Sequence, residues 1–105
     1  MSLFKITFFV PESHLENVKN AMFEAGAGKI GNYDMCAWQV KGRGQFRPLA
    51  GSDAFIGQVG ELEYVEEYRV EMVCSNECLK PAVLAMKNAH PYEEPAYDVL
   101  QTVDV

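Results

Sequence analysis

The chain repeats itself. Shifted by 64 residues, Phe4-Lys5-Ile6-Thr7-Phe8-Phe9-Val10 falls on Tyr68-Arg69-Val70-Glu71-Met72-Val73-Cys74. Both segments alternate: Phe4, Ile6, Phe8 and Val10 form one apolar side, matched by Tyr68, Val70, Met72 and Cys74. Lys5 and Thr7 stand against Arg69 and Glu71 on the other side. A period of two means a strand with one buried face. The match runs on into helices. Leu15, Val18, Met22 and Ala25, at spacings of three and four, become Leu79, Ala82, Met86 and Ala89 after the same shift, the stripe of an amphipathic helix.

Local signals place the ends of these units. Ser13-His14-Leu15-Glu16 has the S-x-x-E form of a capping box, which satisfies free amides at a helix start. Gly26 and Gly28 suit the helix exit, where a left-handed residue is common. Proline is tolerated within the first helical turn, so Pro81 sets the start of the second helix near Cys78. Met35–Val40 reads as a further strand, with Cys36, Trp38 and Val40 on one side. Tyr97, Val99, Val103 and Val105 alternate with Asp98, Thr102 and Asp104 in a C-terminal one.

The order is therefore β-α-β, a long loop, and β-α-β. Right-handed crossovers place the first and third strands side by side in the centre of one sheet. Each helix carries one apolar stripe, so both cover the same face. The expected class is α+β, a ferredoxin-like split βαβ sandwich whose antiparallel sheet is covered by two helices on one face. On the uncovered face, Leu3, Phe9, Val73 and Leu100 sit among Lys5, Thr7, Arg69, Glu71 and Asp98. That mixture invites a partner, and self-association is the expectation.

Composition narrows the possible functions. At 105 residues, 49% hydrophobic and 23% charged, the chain fits one globular domain, taken as residues 1–105. A net charge of −6 opposes nucleic acid or an anionic membrane as partner, since both call for a basic surface. No apolar run approaches the ~20 residues that span a bilayer, and the start Met1-Ser2-Leu3-Phe4-Lys5 is not expected to be a signal peptide. Three cysteines, Cys36, Cys74 and Cys78, suit a reduced, cytoplasmic setting.

Four segments bear groups that could carry chemistry. Residues 41–60 form the longest stretch without periodicity. Lys41, Arg43 and Arg47 bring positive charge to an acidic chain, and Gly42 and Gly44 allow close backbone approach to an anion. The plainer reading is an extended hairpin connection, with the glycines serving turns and the arginines facing solvent. Phe46, Leu49, Phe55 and Ile56 imply that this loop packs on something. Glu61, Glu63, Glu66, Glu67 and Glu71 read as a solvated edge. Cys74 reads as a buried side chain and Cys78 as a helix-start residue; a nucleophilic role for Cys78 lacks an evident base. His90-Pro91-Tyr92-Glu93-Glu94-Pro95 is a rigid corner, because Pro91 ends the second helix. There His90, Glu93 and Glu94 meet a metal or substrate, or else His90 caps the helix and Tyr92 packs beneath the turn.

His90-Pro91-Tyr92-Glu93-Glu94-Pro95-Ala96-Tyr97-Asp98, with Gly28-Lys29-Ile30-Gly31-Asn32-Tyr33-Asp34 and Gly44-Gln45-Phe46-Arg47-Pro48, closely resembles the YqfO family across essentially the whole chain. That domain is inserted in many NGG-interacting-factor-three-like dinuclear-metal proteins and also occurs free-standing. The His-Pro-Tyr-Glu-x-Pro corner is similar to that of CutA proteins, and both groups share the fold of PII proteins. The resemblance implies a PII/CutA-like fold, a tendency to trimerise, and partner binding by the loop between the second and third strands. It implies no metal centre, because the ligands of the longer members lie in flanking halves and match nothing here. The expectation is a non-catalytic homo-oligomeric module, without a cofactor, contacting a small anion or a protein partner. Its ligand-binding residues would be Arg43, Gly44, Phe46, Arg47, His90, Tyr92 and Glu93. The alternative is a divalent-metal site using His90 with Glu93 or Glu94.

Overall fold

The computed structural model describes residues 3–105. Strand β1 (Leu3–Pro11) runs through a 3-10 turn (Glu12–His14) into helix α1 (Leu15–Glu24). Strands β2 (Trp38–Phe46) and β3 (Glu63–Ser75) follow, then helix α2 (Asn76–Ala89) and strand β4 (Tyr97–Gln101). The sheet order is β2-β3-β1-β4, and every neighbouring pair is antiparallel. The two repeated strands, β1 and β3, are its centre, with Phe4 opposite Cys74 and Phe8 opposite Val70. This is the expected ferredoxin-like sandwich, with both helices on one face.

The repeat also builds the core. Ile6, Phe8, Val10, Val18 and Met22 from the first unit, and Val70, Ala82 and Met86 from the second, are all 0% exposed. The exit of α1 follows its glycines, with Gly26 at φ +105° and Gly28 at φ +83°. The Ala27 amide bonds back to Met22 O at 3.1 Å, closing the helix end. Gly28 is doubly required, because a Cβ there would stand 2.7 Å from the Phe23 ring.

Four boundaries differ from the sequence expectation. Ser13 does not cap α1. The chain leaves Pro11 through the 3-10 turn, so Ser13 lies inside that turn and its hydroxyl meets His14 Nδ1 at 2.8 Å. Helix α2 begins at Asn76, two residues before Cys78, and carries Pro81 in its second turn. The bond that Pro81 forfeits would go to the carbonyl of Glu77, a first-turn residue exposed to solvent. Strand β4 stops at Gln101, and Val103 and Val105 are exposed rather than packed.

The largest difference is β2. It runs from Trp38 to Phe46, so residues 41–46 belong to a strand and not to the long loop. β3 is 13 residues long and overhangs β1 beyond Glu67, offering Glu66 to Arg43 and Glu63 to Phe46 as ladder partners. Because nearly all of β2 is exposed, burial imposed no alternation on its residues. Its start is displaced by Met35, at φ +53°, while Gly28 and Cys36 close the preceding segment (Gly28 N to Val73 O, 2.7 Å; Cys36 N to Gly28 O, 2.8 Å).

Register assigns the uncovered face of the sheet. Trp38, Val40, Gly42, Gly44 and Phe46 of β2 lie there beside Val65, Glu67, Arg69, Glu71 and Val73 of β3. Lys5, Thr7 and Phe9 of β1 and Leu100 of β4 complete it. Lys5 and Arg69 both close on the Glu71 carboxylate, whose pKa falls chiefly through its bond to Lys5. Around this charged centre Trp38 is 59%, Val40 44% and Leu100 61% exposed. Among the described residues no helix is long and apolar enough to cross a membrane.

Candidate functional site

Residues 47–62 fold across one end of the uncovered face. Pro48 is buried, and its carbonyl accepts from Gly60 N at 2.8 Å, so the loop closes on itself. Its far side is tied to the corner after α2, where Asp53 N donates to Glu93 Oε1 at 3.0 Å. The Phe55 ring bridges further, 5.7 Å from His14 and 6.3 Å from Tyr92 between centroids. Loop and corner thus form two walls of a groove of about 560 Å³, with Phe9, Phe46, Val65 and Glu67 from the sheet among its lining.

The corner is set by proline and histidine together. Pro91 forces His90 out of the helical region, to φ −75° and ψ 139°. The imidazole is 7% exposed and lies 2.6 Å through Nε2 from Phe9 O. Nδ1 then accepts from Tyr92 N at 3.1 Å. A carbonyl on one nitrogen and an amide on the other fix the neutral Nε2–H tautomer. Burial pushes the His90 pKa below its ordinary value; the Phe9 carbonyl opposes this and the charge of His14 adds to it.

Tyr92 packs on the His90 ring with centroids 4.7 Å apart and donates its hydroxyl to Glu67 Oε2 at 3.2 Å. Burial raises the Glu67 carboxyl above the usual carboxylate range, with the Tyr92 hydroxyl acting in the opposite sense. Tyr92 is also pushed well up, first by burial and then by the neighbouring Glu67 charge and hydrogen bond. Gly44 makes this arrangement possible, since a Cβ at that position would collide with the Glu67 carboxylate.

The structure brings Phe46, Arg47, Tyr92 and Glu93 together on one groove, joined by Glu94. Gly44 borders it through Glu67, and His90 lies beneath Tyr92 as the corner's anchor. Arg43 is elsewhere: it points to the helix side of β2, with its guanidinium 4.1 Å over the Tyr64 ring. Gly42 and Gly44 serve a strand and not turns. The acidic run is not a uniform solvated edge, because Glu67 turns into the groove, Glu71 is held by Lys5 and Arg69, and Glu66 pairs with Lys41 at 3.4 Å. Glu67, Phe9 and Val65 were not evident from sequence, since their convergence depends on strand register, with Phe9 opposite Arg69 and Val65 opposite Gly44.

Cys74 and Cys78 are both packed within the protein. Cys74 is buried, which raises its thiol pKa, as does neighbouring Cys78. Cys78 packs so tightly on Gly26 that a Cβ there would lie 2.5 Å from its Sγ. Among the described residues no three His, Cys, Asp or Glu side chains converge as a metal set. The His90 ring nitrogens are both taken within the protein, and Glu93 is occupied by the Asp53 amide.

No family model matches the chain. The sequence is 47% identical over 98 residues to the GTP cyclohydrolase 1 type 2 homolog of Halalkalibacterium halodurans, covering 93% of this chain and 26% of that protein. For the protein of the same name from Bacillus subtilis the identity is 47% over 95 residues, covering 90% and 26%. The chain thus spans about a quarter of the length of the curated relatives it matches. Among solved structures, a Bacillus cereus protein related to NIF3 superposes with a TM-score of 0.84 at 41% identity, over 98% of this chain and 26% of that one. CutA from Synechococcus elongatus gives a TM-score of 0.70 at 18% identity, over 97% of this chain and 78% of CutA, a likeness of fold alone. The chain is accordingly similar in sequence to one segment of the GTP cyclohydrolase 1 type 2 homologs and of the NIF3-related protein, and it has the fold of the CutA proteins.

Proposed function

We propose that the chain is a non-catalytic, self-associating binding module of the PII/CutA-like type, with the groove as its contact surface for a protein partner. The observation that carries this reading is the bracing of the two segments outside the repeat, by Asp53 on Glu93 and Phe55 on Tyr92, around one apolar-lined space. The polar groups there occupy one another: His90 is spent on two backbone atoms and Tyr92 on Glu67, which leaves no poised base beside a nucleophile. Glu67, Glu93 and Glu94 line the groove together with Arg47, and this acidic excess favours a protein partner over the small anion. A reducing, cytoplasmic setting suits the three unpaired cysteines.

An NMR titration of labelled chain with inorganic phosphate and with a nucleoside triphosphate separates the two ligand classes. The Arg47, Tyr92 and Glu93 amide signals should stay in place to millimolar concentration. Saturable shifts of those signals at micromolar phosphate or nucleotide would restore the small anion.

Self-association draws on the uncovered face, where Trp38, Val40 and Leu100 stay open around the Lys5–Glu71–Arg69 cluster. Its apolar rim supplies burial and its charged centre supplies register. The resemblance to PII and CutA proteins favours three copies. Light scattering at micromolar concentration should give a mass near three chains, whereas a monomer at every concentration would sink the assembly claim.

A further inference from the structure

Glu67 occupies the groove at a cost that the chain's own cations do not relieve. Its carboxylate lies among Phe9, Phe46 and Val65, supported by the Tyr92 hydroxyl at 3.2 Å. The neighbouring cations on the sheet are engaged elsewhere. Lys5 and Arg69 close on Glu71, Lys41 pairs with Glu66, and Arg43 covers Tyr64, while Arg47 lines the same groove but makes no ion pair with Glu67 among the described residues. A desolvated carboxylate without a counter-charge is unfavourable, and an arriving cation would recover that energy. Gly44 leaves room for the carboxylate itself, since a Cβ there would collide with it. The surrounding volume, about 560 Å³, falls within the ~300–1,000 Å³ of pockets that enclose a ligand. It also borders the end of β2, an edge strand of the sheet, beside which an extended segment can lie.

We infer that this groove docks a short extended segment of a partner protein in which a lysine or arginine stands beside large apolar side chains. The apolar side chains fill the space among Phe9, Phe46, Phe55 and Ile56, and the cation closes on Glu67. Glu93 and Glu94 add attraction from the corner wall, and the chain's net charge of −6 draws a basic partner from a distance. The inference rests on the binding-module reading and specifies the chemistry of its partner.

Panning a random heptapeptide display library on the full chain tests it. Selected sequences should carry Lys or Arg next to Leu, Ile, Phe or Trp. Labelled versions should bind Glu67→Gln about tenfold more weakly, as expected for one charge-assisted contact, and should lose affinity as salt rises. Glutamine keeps an acceptor for the Tyr92 hydroxyl and removes the desolvated charge. The variant should therefore melt no lower than the parent, which separates lost binding from lost fold. Selection of acidic or neutral peptides indifferent to Glu67→Gln overturns the charge assignment and leaves a binding groove standing. Displacement of the peptides by an equal concentration of butylamine overturns the protein segment as occupant. A library that yields nothing above background overturns the inference and the groove's role as contact surface together.

Discussion

Replacing Phe8 with alanine is expected to lower the stability of the chain by about 3–5 kcal/mol, the usual cost of emptying a buried aromatic site. Phe8 is 0% exposed and is the largest of the fully buried side chains. It sits on a central strand, between Val70 of β3 and Tyr97 of β4, in a core cluster with Val18 and Met22 of α1 and Met86 of α2. Those neighbours belong to both copies of the repeat, so the cavity cannot close by moving one element alone. Domains of this kind hold roughly 5–15 kcal/mol in all, and each kcal/mol lowers the melting temperature by about 4–8 °C. Urea and thermal unfolding of Phe8→Ala should therefore show a shift of tens of degrees or no cooperative transition. A loss under about 1 kcal/mol, too small for an emptied buried site, would contradict the assignment of Phe8 to the shared core.

The same residue explains why the fold was legible and the site was not. Phe8 and Met72 declare their burial through alternation and through each other, because the shift that matches the strands also matches Val18 with Ala82 and Met22 with Met86. Burial wrote a pattern there that a single sequence displays twice. Lys41–Phe46 had no such constraint: both faces of that strand are largely open, so glycine, arginine and glutamine are all tolerated and no period results. With the second half of β2 read as loop, the pairing of Gly42 with Glu67 was out of sight, and so was the reason for Gly44. The His90 corner was readable as a proline-bounded turn, but in it Tyr92 lies over the His90 ring and lines the groove instead of packing beneath the turn. The Phe9 carbonyl as the partner of His90 did not, since it depends on where β4 stops pairing with β1.

His90→Ala should cost about 2–4 kcal/mol, because it strands two backbone groups at about 1–3 kcal/mol each, less what water recovers. The last β1–β4 pair is Phe8 with Tyr97. Beyond it the Phe9 carbonyl turns to the imidazole at 2.6 Å, and the Tyr92 amide depends on the same ring at 3.1 Å. Burial holds the folded pKa of His90 below the ordinary value of 6.5. Above that value the ring is neutral in both states and its contribution is complete. As pH falls through it the unfolded chain takes the proton first, so stability declines until the folded pKa is passed, by at most about 1.4 kcal/mol per pH unit. Glu67 acts in the opposite sense. Its raised pKa means that the folded state takes the proton first, so its burden is present above the folded value and eases as pH falls through it. The two groups are bridged by Tyr92, yet they pull in opposite directions: His90 acts as pH falls below 6.5, and Glu67 acts from its raised folded value down to the ordinary 4.5. Urea midpoints at pH 7.5, 6.5 and 5.5 should fall for the parent chain and stay nearly level for His90→Ala. The sequence holds two histidines, so the His90 ring can be followed by NMR and should titrate below 6.5. A parent midpoint that does not move between pH 7.5 and 5.5, or a His90 ring that titrates above 6.5, would remove the imidazole as the pin of the groove's corner wall.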